Sequence, residues 1–224
     1  MLVTSSFGAL ADGSQATAHT IGAGADGLQL TVLDLGATVA RLRMPLPRNG
    51  FVDVVLALGT AQEYASPTNP YLGATVGRYA NRIGGASFPL DGVRHELAAN
   101  EGTTCLHGGP GGFHSRRWSV VHSDDHSLEL ELVSPHGDQG FPGEVTARVR
   151  YTVGHDTVTI EHRARTGAPT VVSLTNHSFD GWMIEGGQAS FTKPYNQSGH
   201  TRIGTSYGSL ADGDDRGRAG RAGR

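Results

Sequence analysis

Imidazole and guanidinium side chains that could bind a polar ligand or move protons cluster in two segments of the sequence. The first, residues 69–118, contains Asn81, Arg82 and a glycine-rich stretch around His107; the second has His177 after a short apolar run. Arginine is a fixed cation with five donors, and histidine can accept, donate or shuttle a proton near neutral pH. Glycines beside His107 let the backbone approach a ligand closely. This chemistry suits a neutral, polyhydroxylated ligand.

Each candidate also has a structural interpretation, and spacing alone does not separate the two. Asn81-Arg82 could anchor hydrogen bonds on a strand, His107 could cap a turn, and His177 could be a semi-buried histidine with satisfied hydrogen bonds. Three aromatic residues could supply an apolar wall: Tyr79, Phe113 and Trp118. The last two are better explained as core.

The elements that must position these residues are predicted to be strands, because apolar and polar residues alternate along much of the chain. Alternation is typical of strands buried on one face. It is clearest in 28–35, 128–132, 145–153 and 158–162. Asp91-Gly92 indicates a tight hairpin. With no capped amphipathic helix of about ten residues or more, the sequence predicts an all-β, mainly antiparallel sandwich or barrel.

Composition excludes several classes of function. The 224 residues carry 18 Lys+Arg against 21 Asp+Glu, so 18 − 21 = −3, and these totals show no excess of basic residues of the kind expected for binding nucleic acid or an anionic membrane. The single cysteine, Cys105, excludes an internal disulfide framework. No apolar run reaches the ~18 residues of a transmembrane helix, and no secretory leader is recognisable. We expect a cytoplasmic protein; the sequence does not predict its oligomeric state.

The pattern of alternation fades in the last part of the chain. We expect a folded domain over residues 1–185 and an atypical, poorly ordered tail over 186–224. The last fourteen residues, 211–224, contain only Ala, Gly, Asp and Arg.

Three motifs, in this order, resemble the aldose 1-epimerase (galactose mutarotase) family. They are Gly-Arg-Tyr-Ala-Asn-Arg-Ile at 77–83, Leu-His-Gly-Gly at 106–109 followed by Gly112-Phe113 and Trp118, and Thr-Asn-His-Ser at 175–178. The resemblance covers roughly residues 7–178 and implies a large, twisted antiparallel β-sandwich. It also implies an isomerase that interconverts the α and β anomers of hexoses such as galactose and glucose, without cofactor or metal.

The resemblance also implies roles for individual residues. His177 would be the general acid that protonates the ring oxygen of the sugar. His107 would hydrogen-bond the sugar and polarise the same region, and Arg82 with Asn81 would bind sugar hydroxyls.

The sequence departs from the family after His177. The family's C-terminal glutamate base, and an aspartate that binds sugar, have no matching segment here, so we assign no residue to the base; Glu185 has no motif to support it. Residues 179–182 read Phe-Asp-Gly-Trp where the family has Tyr-Phe-Asn-Leu. We therefore expect a truncated or frame-shifted member. The alternative is a non-catalytic or defective sugar-binding relative.

Other signals in the sequence carry less weight. The G-x-S-x-G match at 204–208 lacks the strand and helix of a hydrolase, His122 and His126 are not predicted on a helix that could bind zinc, and Cys105 is expected to be a buried thiol. A phosphorylated sugar would need a further cation. The candidates are Arg78, Arg116 and Arg117.

Overall fold

The computed structural model describes residues 2–22, 24, 27–46, 50–178 and, for the backbone only, 200–204. The first five strands form one antiparallel sheet in chain order. They are β1 (Val3–Ala9), β2 (Gln15–Gly22), β3 (Gln29–Leu33), β4 (Thr38–Pro45) and β5 (Phe51–Asp53).

A set of short elements follows this first sheet. A five-residue helix is capped by Thr60, whose hydroxyl accepts from the Glu63 amide while the Glu63 side chain accepts from the Thr60 amide. The elements are α1 (Ala61–Ala65), β6 (Thr75–Val76), β7 (Arg82–Ile83), β8 (Ser87–Leu90), β9 (Val93–Glu96) and β10 (Cys105–Leu106). The hairpin predicted at Asp91-Gly92 is confirmed: it joins β8 to β9, and both turn residues have positive φ, 50° and 78°.

A second five-stranded antiparallel sheet is built from the later strands in the order β11-β12-β13-β14-β16. Its strands are β11 (Ser119–Ser123), β12 (Ser127–Ser134), β13 (Val145–Val153), β14 (Thr157–Thr166) and β16 (His200–Gly204). The remaining short strand, β15 (Thr175–Asn176), pairs with β6 instead. Alternate residues of β13 are buried, as its period of two predicts.

The main core lies between the two large sheets. Ile21 and Leu30 of the first sheet pack in the same apolar cluster as Leu130, Val149 and Ile160 of the second. The predicted all-β sandwich is thus confirmed. Within the described residues, no helix has the length and apolar character needed to cross a membrane.

The predicted domain boundary at Glu185 lies outside the described residues, as do residues 211–224. Strand β16 lies within the stretch expected to be a poorly ordered tail, where its backbone pairs with Thr157–Glu161 of β14.

A buried cation fastens the segment between β6 and β7 to the second sheet. Only 2% of Arg78 is exposed, and burial lowers the pKa of its guanidinium, an effect that the nearby Asp138 carboxylate opposes. The guanidinium donates to oxygens on the turn between β12 and β13 and to Thr170. These acceptors, 2.6–3.4 Å away, are the carbonyls of Ser134, Pro135, Pro142 and Gly143 and the hydroxyls of Ser134 and Thr170.

Replacing Arg78 should therefore destabilise the whole domain. Arg78→Met leaves several buried carbonyls without a donor, and we expect a loss of roughly 3–5 kcal/mol in the free energy of unfolding. Arg94→Met is the control, because Arg94 is an exposed residue of β9 whose partner, Glu96, is also exposed. Urea unfolding measures both; equal midpoints for the two variants would contradict this role of Arg78.

Candidate functional site

Two short strand pairs bring the predicted site residues together. In the pair of β7 with β10, Arg82 lies opposite Leu106, so that Arg82 is placed beside His107. In the pair of β6 with β15, Asn176 lies opposite Thr75, and His177 follows directly. Backbone hydrogen bonds fix the position of His177: its amide donates to the Ala74 carbonyl (2.8 Å), and its carbonyl accepts from the Gly73 amide (3.0 Å).

The two histidines expected to contact substrate face one another. The ring centroids of His107 and His177 are 5.0 Å apart and the rings are nearly perpendicular, at 82°. Residues 70 positions apart in the sequence therefore form one pair, which the motifs alone did not establish. The structure thus has two imidazoles close enough to act on the same small ligand.

Reciprocal hydrogen bonds with Asn81 fix the tautomer of His107. The His107 amide donates to the Asn81 carbonyl, and the Asn81 amide donates to Nδ1 of the His107 ring, both at 3.0 Å. A neutral imidazole that accepts at Nδ1 carries its proton on Nε2. His107 thus presents an N–H donor at its other nitrogen. Asn81, expected to bind sugar with its side chain, also orients this ring through its backbone.

The environment keeps His107 uncharged near neutral pH. Burial lowers the pKa of His107 to about 4, and the neighbouring His177, His114 and Arg82 act in the same direction. The pKa of His114 is also lowered to about 4, chiefly by burial and then by His177. A cluster of imidazoles in a half-buried site disfavours each added positive charge.

Arg82 lies at the exposed rim of this site in a two-pronged ion pair. Its Nε and Nη2 atoms donate to the two carboxylate oxygens of Glu101, at 2.5 and 2.6 Å. The pair raises the pKa of Arg82 and lowers that of Glu101. Since a guanidinium has five N–H donors, Arg82 keeps donors for a ligand, and its Nη1 lies 3.5 Å from the Asn81 side-chain oxygen.

Three residues of this cluster were not predicted as site residues. The Tyr71 ring contacts the rings of His107 and His177, the His114 ring contacts that of Tyr71, and Glu101 pairs with Arg82. All three belong to the polar segment 69–118. No spacing rule connects them to His107 or His177, because loops place them there.

Three residues of the site have unusual backbone geometry. Tyr71, Asn81 and His107 all have positive φ, at 62°, 70° and 52°. Such conformations cost free energy in residues with side chains and often mark functional sites. The glycine after His107 is required: Gly108 has φ of 85°, and a Cβ there would lie 2.0 Å from the Gly77 carbonyl oxygen.

Several other sequence candidates have structural roles. Phe113 and Trp118 belong to the main core, as expected, with 1% and 3% exposure. Tyr79 is half-buried and packs beside a smaller apolar cluster rather than on the histidines. Cys105 is a buried free thiol, also as expected, and burial raises its pKa. Among the residues that the structure describes, no three metal-binding side chains converge.

The three arginines considered for a phosphorylated sugar are engaged elsewhere. Arg78 is buried, and its guanidinium donates to four backbone carbonyls. Arg116 pairs with Asp138 at 3.1 Å, and Arg117 donates to the Asp34 carboxylate and to the Gln15 carbonyl. The contacts of these three arginines therefore do not support a phosphate subsite.

The lowered pKa values predict how the site titrates. In NMR spectra, the imidazole signals of His107 and His114, assigned with His→Asn variants, should stay constant from pH 8 to about 5 and shift with midpoints near pH 4. The unfolded chain takes up protons first, so these groups should lower stability as pH falls from about 6.5 towards 4. Midpoints near 6.5 would contradict the burial of this cluster.

Comparison with known proteins agrees with this geometry. The family model described as aldose 1-epimerase matches residues 18–179. The aldose 1-epimerase of Escherichia coli K12 is 38% identical over 144 residues, which is 64% of this chain and 41% of that protein. The galactose mutarotase of Sus scrofa is 42% identical over 127 residues, 57% of this chain and 36% of that protein. The chain thus matches about two-fifths of the length of these curated relatives.

A solved structure supports the same relationship. An aldose epimerase homologue from C. elegans superposes with a TM-score of 0.68 at 34% identity, covering 76% of this chain and 52% of that one. The family match spans most of the chain and includes Asn81, Arg82, His107 and His177. These matches, together with the sandwich and the paired histidines, show that the chain belongs to the aldose 1-epimerase family.

Proposed function

We propose that this protein interconverts the α and β anomers of free aldohexoses, such as galactose and glucose, in the cytoplasm. The observation that carries the proposal is the perpendicular pair of His107 and His177, 5.0 Å apart, with Arg82 at its rim. Relatives at 38% and 42% identity are named for this activity. A neutral sugar suits a site whose arginine is already balanced by Glu101.

The proposed reaction opens and recloses the sugar ring. A base removes the proton from the anomeric hydroxyl while an acid protonates the ring oxygen, and the bond between C1 and that oxygen breaks. Rotation about the C1–C2 bond of the aldehyde and closure from the other face give the second anomer. In ring opening and in ring closure, proton transfers accompany the breaking and forming of the bond between C1 and the ring oxygen. Positioned acid and base groups therefore lower the barrier of each step.

Four residues of the site have roles in this reaction. His177 donates a proton to the ring oxygen. His107, neutral with its proton on Nε2, donates a hydrogen bond to a nearby sugar oxygen. Arg82 and the Asn81 side chain bind sugar hydroxyls.

No described residue is assigned to the base. Glu101 is held by Arg82, and this interaction lowers its pKa, which makes its carboxylate a weaker proton acceptor. The alternative function, sugar binding without catalysis, follows if no other group supplies the base. The two functions differ in whether anomers equilibrate faster than in buffer.

Polarimetry of freshly dissolved α-galactose and α-glucose tests the proposal. We expect the protein to accelerate equilibration and His177→Ala to reduce the enzymatic rate by about 10²–10⁴-fold, since it removes the general acid. His155→Ala is the matched control, because His155 is an exposed histidine in the turn between β13 and β14. Its rate should equal that of the unaltered protein.

Two outcomes would count against this assignment. Equilibration no faster than in buffer, with galactose binding retained in calorimetry, would support the sugar-binding alternative. An active protein whose rate is unchanged by His177→Ala would remove His177 from the role of acid.

A further inference from the structure

One aromatic ring contacts all three imidazoles of the site. The centroid of the Tyr71 ring lies 4.6 Å from that of His107, 4.6 Å from that of His114 and 5.8 Å from that of His177. The first two contacts are edge-on, at 68° and 76°. Contacts of this kind are directional, because the positive edge of one ring meets the negative face of the other. The orientation of Tyr71 is therefore coupled to that of both functional histidines.

The ring is held from several directions. His114 braces it on one side, and the phenol oxygen of Tyr71 is 3.3 Å from the side-chain nitrogen of Asn100. Asn100 also clamps the strand before His107, since its oxygen accepts from the Leu106 amide (2.7 Å) and its nitrogen donates to the Leu106 carbonyl (3.0 Å). A single amide side chain thus connects the Tyr71 ring to the backbone that leads into His107.

The backbone of Tyr71 has an unusual conformation and lies in a turn that also contacts His177. Its φ of 62° is unfavourable for a bulky residue, and the turn is closed by the Ala74 amide, which donates to the Tyr71 carbonyl (3.1 Å). Ala74 is the residue whose carbonyl accepts from the His177 amide. The turn that orients Tyr71 therefore also fixes the backbone of His177.

We propose that Tyr71, braced by His114, is a positioning residue that fixes the relative orientation of His107 and His177. The inference rests on the proposed mutarotase function and extends it to residues for which the sequence motifs gave no role. A tyrosine of the core has different surroundings: Tyr64 is 3% exposed in an apolar cluster with Leu33 and Leu35, and its hydroxyl accepts from the Leu58 amide. Tyr71 is half-buried, and its ring contacts are imidazoles.

Three variants of Tyr71 distinguish the contribution of its ring from those of its hydroxyl and its backbone conformation. Tyr71→Phe keeps the ring and loses the hydroxyl. Tyr71→Asn removes the ring but tolerates positive φ, and Tyr71→Met replaces the ring with flexible apolar volume. Tyr64→Met is the control, because Tyr64 is a buried tyrosine of a separate apolar cluster, where its ring contacts Phe7. Each is measured for kcat, KM and melting temperature.

The expected pattern is a loss of turnover without a loss of binding. Tyr71→Asn and Tyr71→Met should lower kcat about ten- to a hundredfold, because small displacements of reacting groups cost that much, with KM changed by less than about threefold. Tyr71→Phe keeps the ring, and its kcat should stay within about threefold of that of the unaltered protein. Tyr64→Met should lower the melting temperature and leave kcat unchanged.

Several results would overturn the proposal. These are unchanged kcat in both ringless variants, or a raised KM with kcat intact, which would make Tyr71 a sugar contact. If both ringless variants fail to fold, His114→Asn, which removes the brace, must lower kcat; an unchanged value would contradict the proposal.

A second readout keeps this inference separate from the proposed function. If the unaltered protein proves inactive, the nuclear Overhauser effect between the ring protons of His107 and His177 still reports their relative position, because the two rings are 5.0 Å apart. That effect should weaken in Tyr71→Met and be retained in Tyr71→Phe. An effect of equal intensity in Tyr71→Met would overturn the positioning role whatever the activity.

Discussion

The buried guanidinium of Arg78 is the interaction on which the site depends most. It binds four backbone carbonyls and two hydroxyls of distant segments, and its own backbone carbonyl accepts from the Ser173 amide. The adjacent Gly77 carbonyl accepts from the Phe113 amide at 3.0 Å. The segment that ends in Asn81 and Arg82 is thus fastened to the second sheet, to the loop before His177 and to the loop after His107. An arginine suits this place because its planar fork satisfies several carbonyls at once.

The chemistry is carried by loops and by strand pairs only two residues long, while the large sheets supply the rigid support. The register of β7 with β10 sets Arg82 beside His107, and that of β6 with β15 sets the position of His177. Positive φ at site residues adds strain that the surrounding hydrogen bonds must offset. Half-burial then lowers the pKa of His107, so that the imidazole acts as a neutral donor and not as a competing cation.

The sequence was informative where local rules apply and uninformative where distant loops meet. Alternation along 145–153 predicted β13, and the turn chemistry of Asp91-Gly92 predicted its hairpin, because both depend on neighbouring residues. The motifs supplied His107 and His177, but their 5.0 Å separation depends on two long-range strand pairs. Tyr71 could not be found, since its role arises from ring contacts with residues 36, 43 and 106 positions away. Arg78 looked like a possible ligand contact because charge is visible in a sequence and burial is not.

A crystal structure of the protein soaked with galactose tests most directly whether His107, His177 and Arg82 form a single sugar site. We expect one galactose between the imidazoles, with sugar oxygens about 3 Å from Nε2 of His107 and from a guanidinium nitrogen of Arg82. A galactose bound elsewhere, with the space between the two imidazoles left to solvent, would contradict it.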